Sequence, residues 1–152
     1  MDQKELIHEI VESFREIKKA SYQLLSLQAD SIGITGIQYM ALKTILRQPG
    51  IAMSELAESM RLGNSTVSGV IDRLVKAELV ERRRLVSDRR SITLHLTAKG
   101  REVEHQTDLK YTESISRVLE LPEEEIFQML ETHKKIIDII IKVREGNQSE
   151  QQ

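Results

Sequence analysis

The sequence has no cysteine, no tryptophan and only two prolines. Without thiols there is no disulfide, no thiolate metal site, no cysteine nucleophile and no thiol-based redox sensing. Aromatic residues make up only 3% of the chain, so the core has to come mostly from Leu, Ile, Val and Met. No apolar run approaches the ~20 residues of a membrane span. The longest apolar cluster, 136–143, is broken by Asp138 and Lys142. The N-terminus MDQKELIHEI is polar and amphipathic, with no signal-peptide core. There is no Gly-rich phosphate loop, no catalytic carboxylate pair and no Ser/His/Asp arrangement. The expectation is a soluble, cytoplasmic protein that is not an enzyme and needs no metal or other cofactor.

What is present points to a packed fold. The 152 residues are 39% hydrophobic and 30% charged, which suits one domain or a domain with an appendage. Net charge is only −2, but it is unevenly spread. Residues 51–100 carry nine Lys/Arg against six Asp/Glu, and residues 101–152 carry seven against twelve. A polyanion would be met by the middle third.

From Glu5 to about Gln28 apolar residues recur with a helical period sustained over some six turns. Gly33 and Gly36 punctuate its end. Thr35 suits the cap of a second helix over 35–47, stopped by Pro49-Gly50. A short helix fits 53–60, and Gly63 with Asn64 breaks it. Asn64 then caps a third helix over 65–77. On that helix Val67, Val70, Ile71 and Leu74 form one apolar stripe. Ser65, Gly69, Asp72 and Lys76 point the other way, flanked by Thr66, Ser68 and Arg73. Leu79–Arg84 reads as a strand, and Ser91–Leu96 alternates as a second one, with Ile92, Leu94 and Leu96 on one face. The residues between, Leu85–Arg90, form the loop of a hairpin. Thr97 suits the cap of another helix. Pro122 followed by three glutamates starts a last one, running to about Arg144. The tail GNQSEQQ is expected to fray.

Two short helices joined by a tight turn and followed by a hairpin make a winged helix-turn-helix. The fold expected is mainly α, with this lobe (35–100) set between an N-terminal helix (1–34) and C-terminal helices (101–145). A duplex major groove admits one α-helix, and short polar side chains or Arg and Lys read its base edges. The outward face of 65–77 is of that kind. Gly69 either lets a base or sugar approach closely or is a neutral surface position. The stretch RRRLVSDRR, 82–90, places five arginines in nine residues. A narrow minor groove concentrates negative potential and attracts arginine, and the phosphates beside it attract the rest. Asp88 would be repelled by phosphate, so its place at the tip calls for a reason. It can hold the Arg90 guanidinium in one orientation. The candidate DNA-binding set is Ser54, Asn64, Ser65, Thr66, Ser68, Gly69, Arg73, Arg83, Arg84, Asp88, Arg89 and Arg90.

Both outer helices carry apolar surface that a monomer of this size struggles to cover. Ile7, Ile10, Phe14 and Ile17 lie on the first. Ile136, Ile137, Ile140 and Ile141 crowd the last. Burial against a second copy of the chain is expected.

The segments SELAESM, NSTVSGVIDRLVKAELVERR and SDRRSITLHLTAKG, with the two helical arms, resemble the MarR family of bacterial transcriptional regulators over 1–145. The resemblance implies a homodimer with interleaved terminal helices and two winged lobes on a pseudo-palindromic operator. It also implies a repressor released by a small aromatic or anionic ligand, held in a cleft between the dimerisation helices and the lobe. By position, Asp88 and Arg90 match the family's wing Asp-x-Arg. Ser65, Thr66 and Ser68 match the base- and phosphate-facing part of its recognition helix, and Arg73 matches a backbone-contacting or salt-bridging arginine. Two departures stand out. Glu78 replaces the glycine that usually ends the recognition helix, so a slightly different turn is expected there. Ala52 is a weak cap for the helix at 53. The missing cysteine separates the chain from the family's peroxide-sensing branch.

Other residues have competing readings. His105 with Glu102 and Asp108 has metal-ligand spacing, but surface histidines, like His8, His95 and His133, are usually solvated. Tyr22, Tyr39 and Tyr111 either line a ligand cleft or pack in the helical core with the hydroxyl at its edge. Two rival functions remain. One is a winged helix used as a protein-interaction module, which leaves the arginine-rich tip unexplained. The other is the dimerisation domain of an enzyme, for which too little chain follows.

Overall fold

Periodicity alone places most of the helices. Helix α1 (Gln3–Ile32) ends where Gly33 turns left-handed at φ 92°. Helix α2 (Gly36–Arg47) is capped by Thr35, whose hydroxyl accepts from the Gln38 N–H while the Gln38 side chain accepts from the Thr35 N–H. That reciprocal pair is a capping box. Gly36 does not end α1, as expected, but opens α2 close against it: a Cβ there would lie 2.5 Å from Ser26 Oγ. Helix α3 spans Met53–Met60 and α4 spans Asn64–Lys76. Strands β2 (Val80–Arg84) and β3 (Ile92–Leu96) pair antiparallel. Helix α5 covers Ala98–Ile115, a 3-10 turn covers Ser116–Glu120, and α6 covers Glu123–Ser149.

This computed structural model describes residues 2–84 and 92–149. Asp88, Arg89 and Arg90, and the hairpin loop that carries them, lie outside the described residues. The chain forms two compact units, Met1–Ser114 and Ile115–Gln152. No helix among the described residues is long and apolar enough to cross a membrane.

The first unit holds the core. Ala29 of α1, Leu42 and Ile45 of α2, Leu56 of α3, Val67, Ile71 and Leu74 of α4, and Leu94 of β3 are all sealed from solvent. The wing is a three-stranded sheet rather than a bare hairpin. A two-residue strand β1 (Ile51–Ala52) adds to β3, giving the order β1-β3-β2. Of the three apolar residues on one face of β3, Leu94 and Leu96 are buried, but Ile92 is 41% exposed. The apolar alternation thus runs one residue further toward the wing tip than the core does.

Helix α4 ends in a left-handed turn that comes at a cost. Glu78 adopts φ 61°, the left-handed region. The Leu79 N–H reaches the Leu74 carbonyl at 2.9 Å, closing the helix C-terminus. The different turn expected from a non-glycine residue is not there; the glutamate takes the glycine's conformation. Thr97 locks it from the other side. Its hydroxyl donates to the Glu78 carbonyl at 2.6 Å and accepts from the Gly100 N–H at 2.9 Å, capping α5. Left-handed strain costs about 1 kcal/mol outside glycine, offset in part by the extra chain freedom glycine brings to the unfolded state. Glu78→Gly is therefore expected to stabilise the fold by about 0.5–1 kcal/mol in urea unfolding. No gain would mean that the strain does not exceed what glycine's freedom in the unfolded state costs.

The second unit contains α6, which has no buried residue among those described. The Pro122 carbonyl accepts the first helical hydrogen bond, from the Ile126 N–H. The helix continues five residues past Arg144, through Gly146 to Ser149, where a frayed tail was expected.

Candidate nucleic-acid interface

Helix α4 is amphipathic in a simple way. Val67, Val70, Ile71 and Leu74 are buried, while Ser65, Thr66, Gly69, Asp72, Arg73 and Lys76 are exposed and Ser68 is half-buried. The helix enters from a turn in which Arg61 is left-handed at φ 54°. Its N-cap is Gly63, and Asn64 is the first helical residue, not the cap. Among the described residues no side chain caps the first amides, so this helix end offers N–H donors and the positive end of its dipole. Gly69 has nothing within 4 Å of where its Cβ would be. No neighbour among the described residues requires the missing side chain. Ser54, in the first turn of α3, is exposed. Ala52 offers no cap there, but the Glu55 carboxylate accepts from the Ala52 N–H at 2.9 Å, which is half of a capping box.

The wing arginines divide by strand register. Arg82 stands opposite Leu94 and Arg84 opposite Ile92, on the face that continues into the core. Arg83 stands opposite Thr93 on the other face, with Glu81 and His95. Arg82 reaches across to α4 and donates to Asp72 Oδ1 at 2.5 Å. This ion pair fastens the base of the wing to the outward face of α4. No spacing rule in the sequence connects residues 72 and 82, because they meet only once the turn at Glu78 folds. Arg83 is bonded to Glu81, with its Nε at 2.9 Å. Arg84 is exposed.

A second polar cluster joins α2 to α5. The Tyr39 hydroxyl donates to Asp108 Oδ1 at 2.6 Å, and Lys43 Nζ donates to the same oxygen at 2.5 Å. Burial, with the Asp108 hydrogen bond second, pushes the Tyr39 hydroxyl up to about 12. The hydrogen bond from Lys43, then that from Tyr39, holds the Asp108 carboxyl below its usual value. That carboxylate is committed to Lys43 and Tyr39, whatever its spacing from His105 and Glu102. Tyr39 is a core residue with a satisfied hydroxyl, and Tyr111 meets Ser21 Oγ at 2.6 Å. Tyr22 is exposed.

On the terminal helices, Ile7, Ile10 and Ile17 are exposed and Phe14 is half-buried. Ile137, Ile140 and Ile141 are exposed, and Ile136 is half-buried.

The MarR family model matches residues 34–92, the stretch from the cap of α2 to the start of β3. The HTH-type transcriptional regulator YsmB of Bacillus subtilis is 31% identical over 104 residues, 68% of each chain. The structure of a MarR family protein from Bacillus stearothermophilus superposes with a TM-score of 0.80 at 24% identity, covering 93% of this chain and 99% of that one. A mutant MarR of E. coli in complex with operator DNA gives a TM-score of 0.72 at 22% identity, covering 90% of this chain and 99% of that one. A winged helix-turn-helix with these relatives is a regulator of transcription and not an enzyme, and the chain belongs to the MarR family.

Proposed function

We propose that the chain is a cytoplasmic homodimeric repressor that lays α4 of each protomer into successive major grooves of a pseudo-palindromic operator. The observation that carries this reading is the outward face of α4, where small polar residues surround an unfilled Gly69 and an uncapped N-terminus. Ser65, Thr66 and Ser68 face base edges or the flanking phosphates. Asn64, Arg73 and Ser54 border that surface. Arg84 and Arg83 meet the backbone, and Arg90, held by Asp88 and aided by Arg89, enters the minor groove. The DNA-bound E. coli relative supports this placement by its fold.

The exposed isoleucines of α1 and α6 support the dimer: a chain that left them in water would show a large apolar patch. A cavity in the first unit supports the reading that an effector binds. It lies between α1, α2 and the end of α3 and has a volume of about 370 Å³. Lys18, Lys43, Arg47 and Arg61 line it together with Met40 and Met60. Lys18, Arg47 and Arg61, beside the Lys43 that Asp108 already pairs, suit a small anionic ligand.

Footprinting is expected to show two protected half-sites with centres about 10 base pairs apart, one DNA turn. Ser68→Ala should weaken specific binding by about 1 kcal/mol. Arg84→Ala should instead lower affinity for every sequence alike and reduce the salt slope by about one ion. Protection of a single half-site, or equal losses on operator and random duplex for Ser68→Ala, would remove α4 from the reading role.

A further inference from the structure

Helix α5 carries the chain out of the winged lobe and is bonded to that lobe at two separate places. The first is its N-terminal turn. Thr97 bonds the Glu78 carbonyl, Lys99 Nζ donates to the Ala77 carbonyl at 3.0 Å, and Gly100 packs directly on the Leu79 carbonyl. These contacts clamp the C-terminal end of α4 to the start of α5. The second place is the triangle of Tyr39, Lys43 and Asp108. Lys43 Nζ also donates to the Tyr39 hydroxyl at 2.9 Å, so each of the three groups meets the other two. Beyond Asp108, α5 bonds α1 instead, through Lys110 to Ser31 Oγ at 3.1 Å and Tyr111 to Ser21.

Little else fixes the angle between α5 and the lobe. The buried residues of α5 are Gly100, Glu104 and Thr107, with Val103 partly buried beside them. Of these four only Val103 is aliphatic, so the apolar area that could hold this interface is small. The Thr107 hydroxyl is spent within its own helix, on the Val103 carbonyl at 2.8 Å. Asp108 lies eight residues past Gly100, about 12 Å along the helix, and the 13-residue α4 reaches about 20 Å from the clamp. A give of about 1 Å at the triangle then moves the reading end of α4 by roughly 1.6 Å. Two protomers together give roughly 3 Å, close to the ~3.4 Å rise of one base pair.

We propose that Asp108 is a positioning residue for operator recognition, holding the lobe through Lys43 and Tyr39 at the angle that sets the separation of the two α4 helices. This rests on the reading of the chain as a homodimer on two half-sites. An ion pair whose side chains are 32% and 39% exposed adds little to stability. Three groups converging on one oxygen instead select one geometry. Binding to two half-sites depends on how often both lobes are correctly placed at once, which is an effective concentration. A single lobe on a single half-site is indifferent to that angle.

The test compares a full operator, selected from random duplexes, with a duplex carrying one half-site, by fluorescence anisotropy at fixed salt. The parent should gain about 10²-fold or more from the second half-site. Asp108→Ala should weaken the full operator at least tenfold and leave the half-site duplex unchanged. Lys43→Met should act alike, and the double variant should lose no more than the larger single loss, because both cut one triangle. The chain has no cysteine, so Glu58→Cys takes a single spin label on exposed α3. Dipolar spectroscopy of the free dimer then reads the distance between lobes, and Asp108→Ala should broaden it by about 3 Å. Equal losses on both duplexes, additive losses in the double variant, or an unchanged operator affinity and distance width would overturn the proposal. If Asp108→Ala does not fold, Tyr39→Phe, which removes only the hydroxyl that donates to Asp108, carries the same comparison with the same outcomes. A parent with no distance between lobes, or no gain from the second half-site, would overturn the homodimer reading and the proposal with it.

Discussion

Gly100→Ala is expected to cost the fold about 3 kcal/mol, a large share of the ~5–15 kcal/mol that holds a typical domain together. A Cβ at this position would lie 1.9 Å from the Leu79 carbonyl oxygen and 2.9 Å from its carbon. Both are backbone atoms with little freedom to move. Leu79 is buried, its N–H is bonded to the Leu74 carbonyl, and its carbonyl accepts from the Thr97 N–H at 3.1 Å. Relieving the clash means pulling α5 off the α4–β2 turn and losing hydrogen bonds that close it. Overpacking alone costs about 1–3 kcal/mol, and a buried group left unpaired adds to that. The melting temperature should fall by roughly 6–12 °C. Gly69→Ala is the control, because space is open there. Alanine in a helix interior gains up to about 1 kcal/mol over glycine. If Gly69 admits a base or sugar, the same variant should bind operator more weakly although it folds better. Equal calorimetric stability of the Gly100 variant and the parent would contradict the packing described.

Ile140→Asp should leave the protein monomeric or unfolded. Ile140 is 55% exposed in the single chain. For a monomer, an aspartate there is a surface change worth within about 0.5 kcal/mol. In a dimer buried along α6 it places an unpaired charge in an apolar interface, costing several kcal/mol. The two cases differ enough for one sedimentation run, with a urea curve to separate dissociation from unfolding. Ile137→Asp, at 54% exposure, should behave the same way. A parent protein that sediments as a monomer at micromolar concentration would contradict the dimer reading.

The elements whose signal is local were readable from the sequence. The apolar stripe of α4, the bounds of α3 at Met53 and Met60, and the caps Thr35 and Thr97 depend on neighbours within four residues. What was not readable depends on distant partners. Strand β1 is two residues long, too short for any alternation, and exists because Leu94 and Thr93 pair with Ile51 and Ala52. The Asp72–Arg82 tether and the contact of Gly100 with Leu79 arise only when the turn at Glu78 brings their segments together. In sequence Gly69 and Gly100 look alike; one faces open space and the other a carbonyl. Asn64 looked like a cap because it is a good one, yet Gly63 holds that position. The polar tail from Gly146 looked frayed, but α6 continues through Gly146 to Ser149.

The central claim is that α4 reads duplex sequence. Its most direct test is fluorescence anisotropy at fixed salt, comparing a duplex selected from a random pool with its shuffled counterpart. The parent should prefer the selected duplex by ~10³-fold or more, as specific binders do over non-specific DNA. A combined Ser65→Ala, Thr66→Ala, Ser68→Ala variant should keep its affinity for the shuffled duplex and lose most of that preference. A preference undiminished in the triple variant, or none in the parent, would contradict the account.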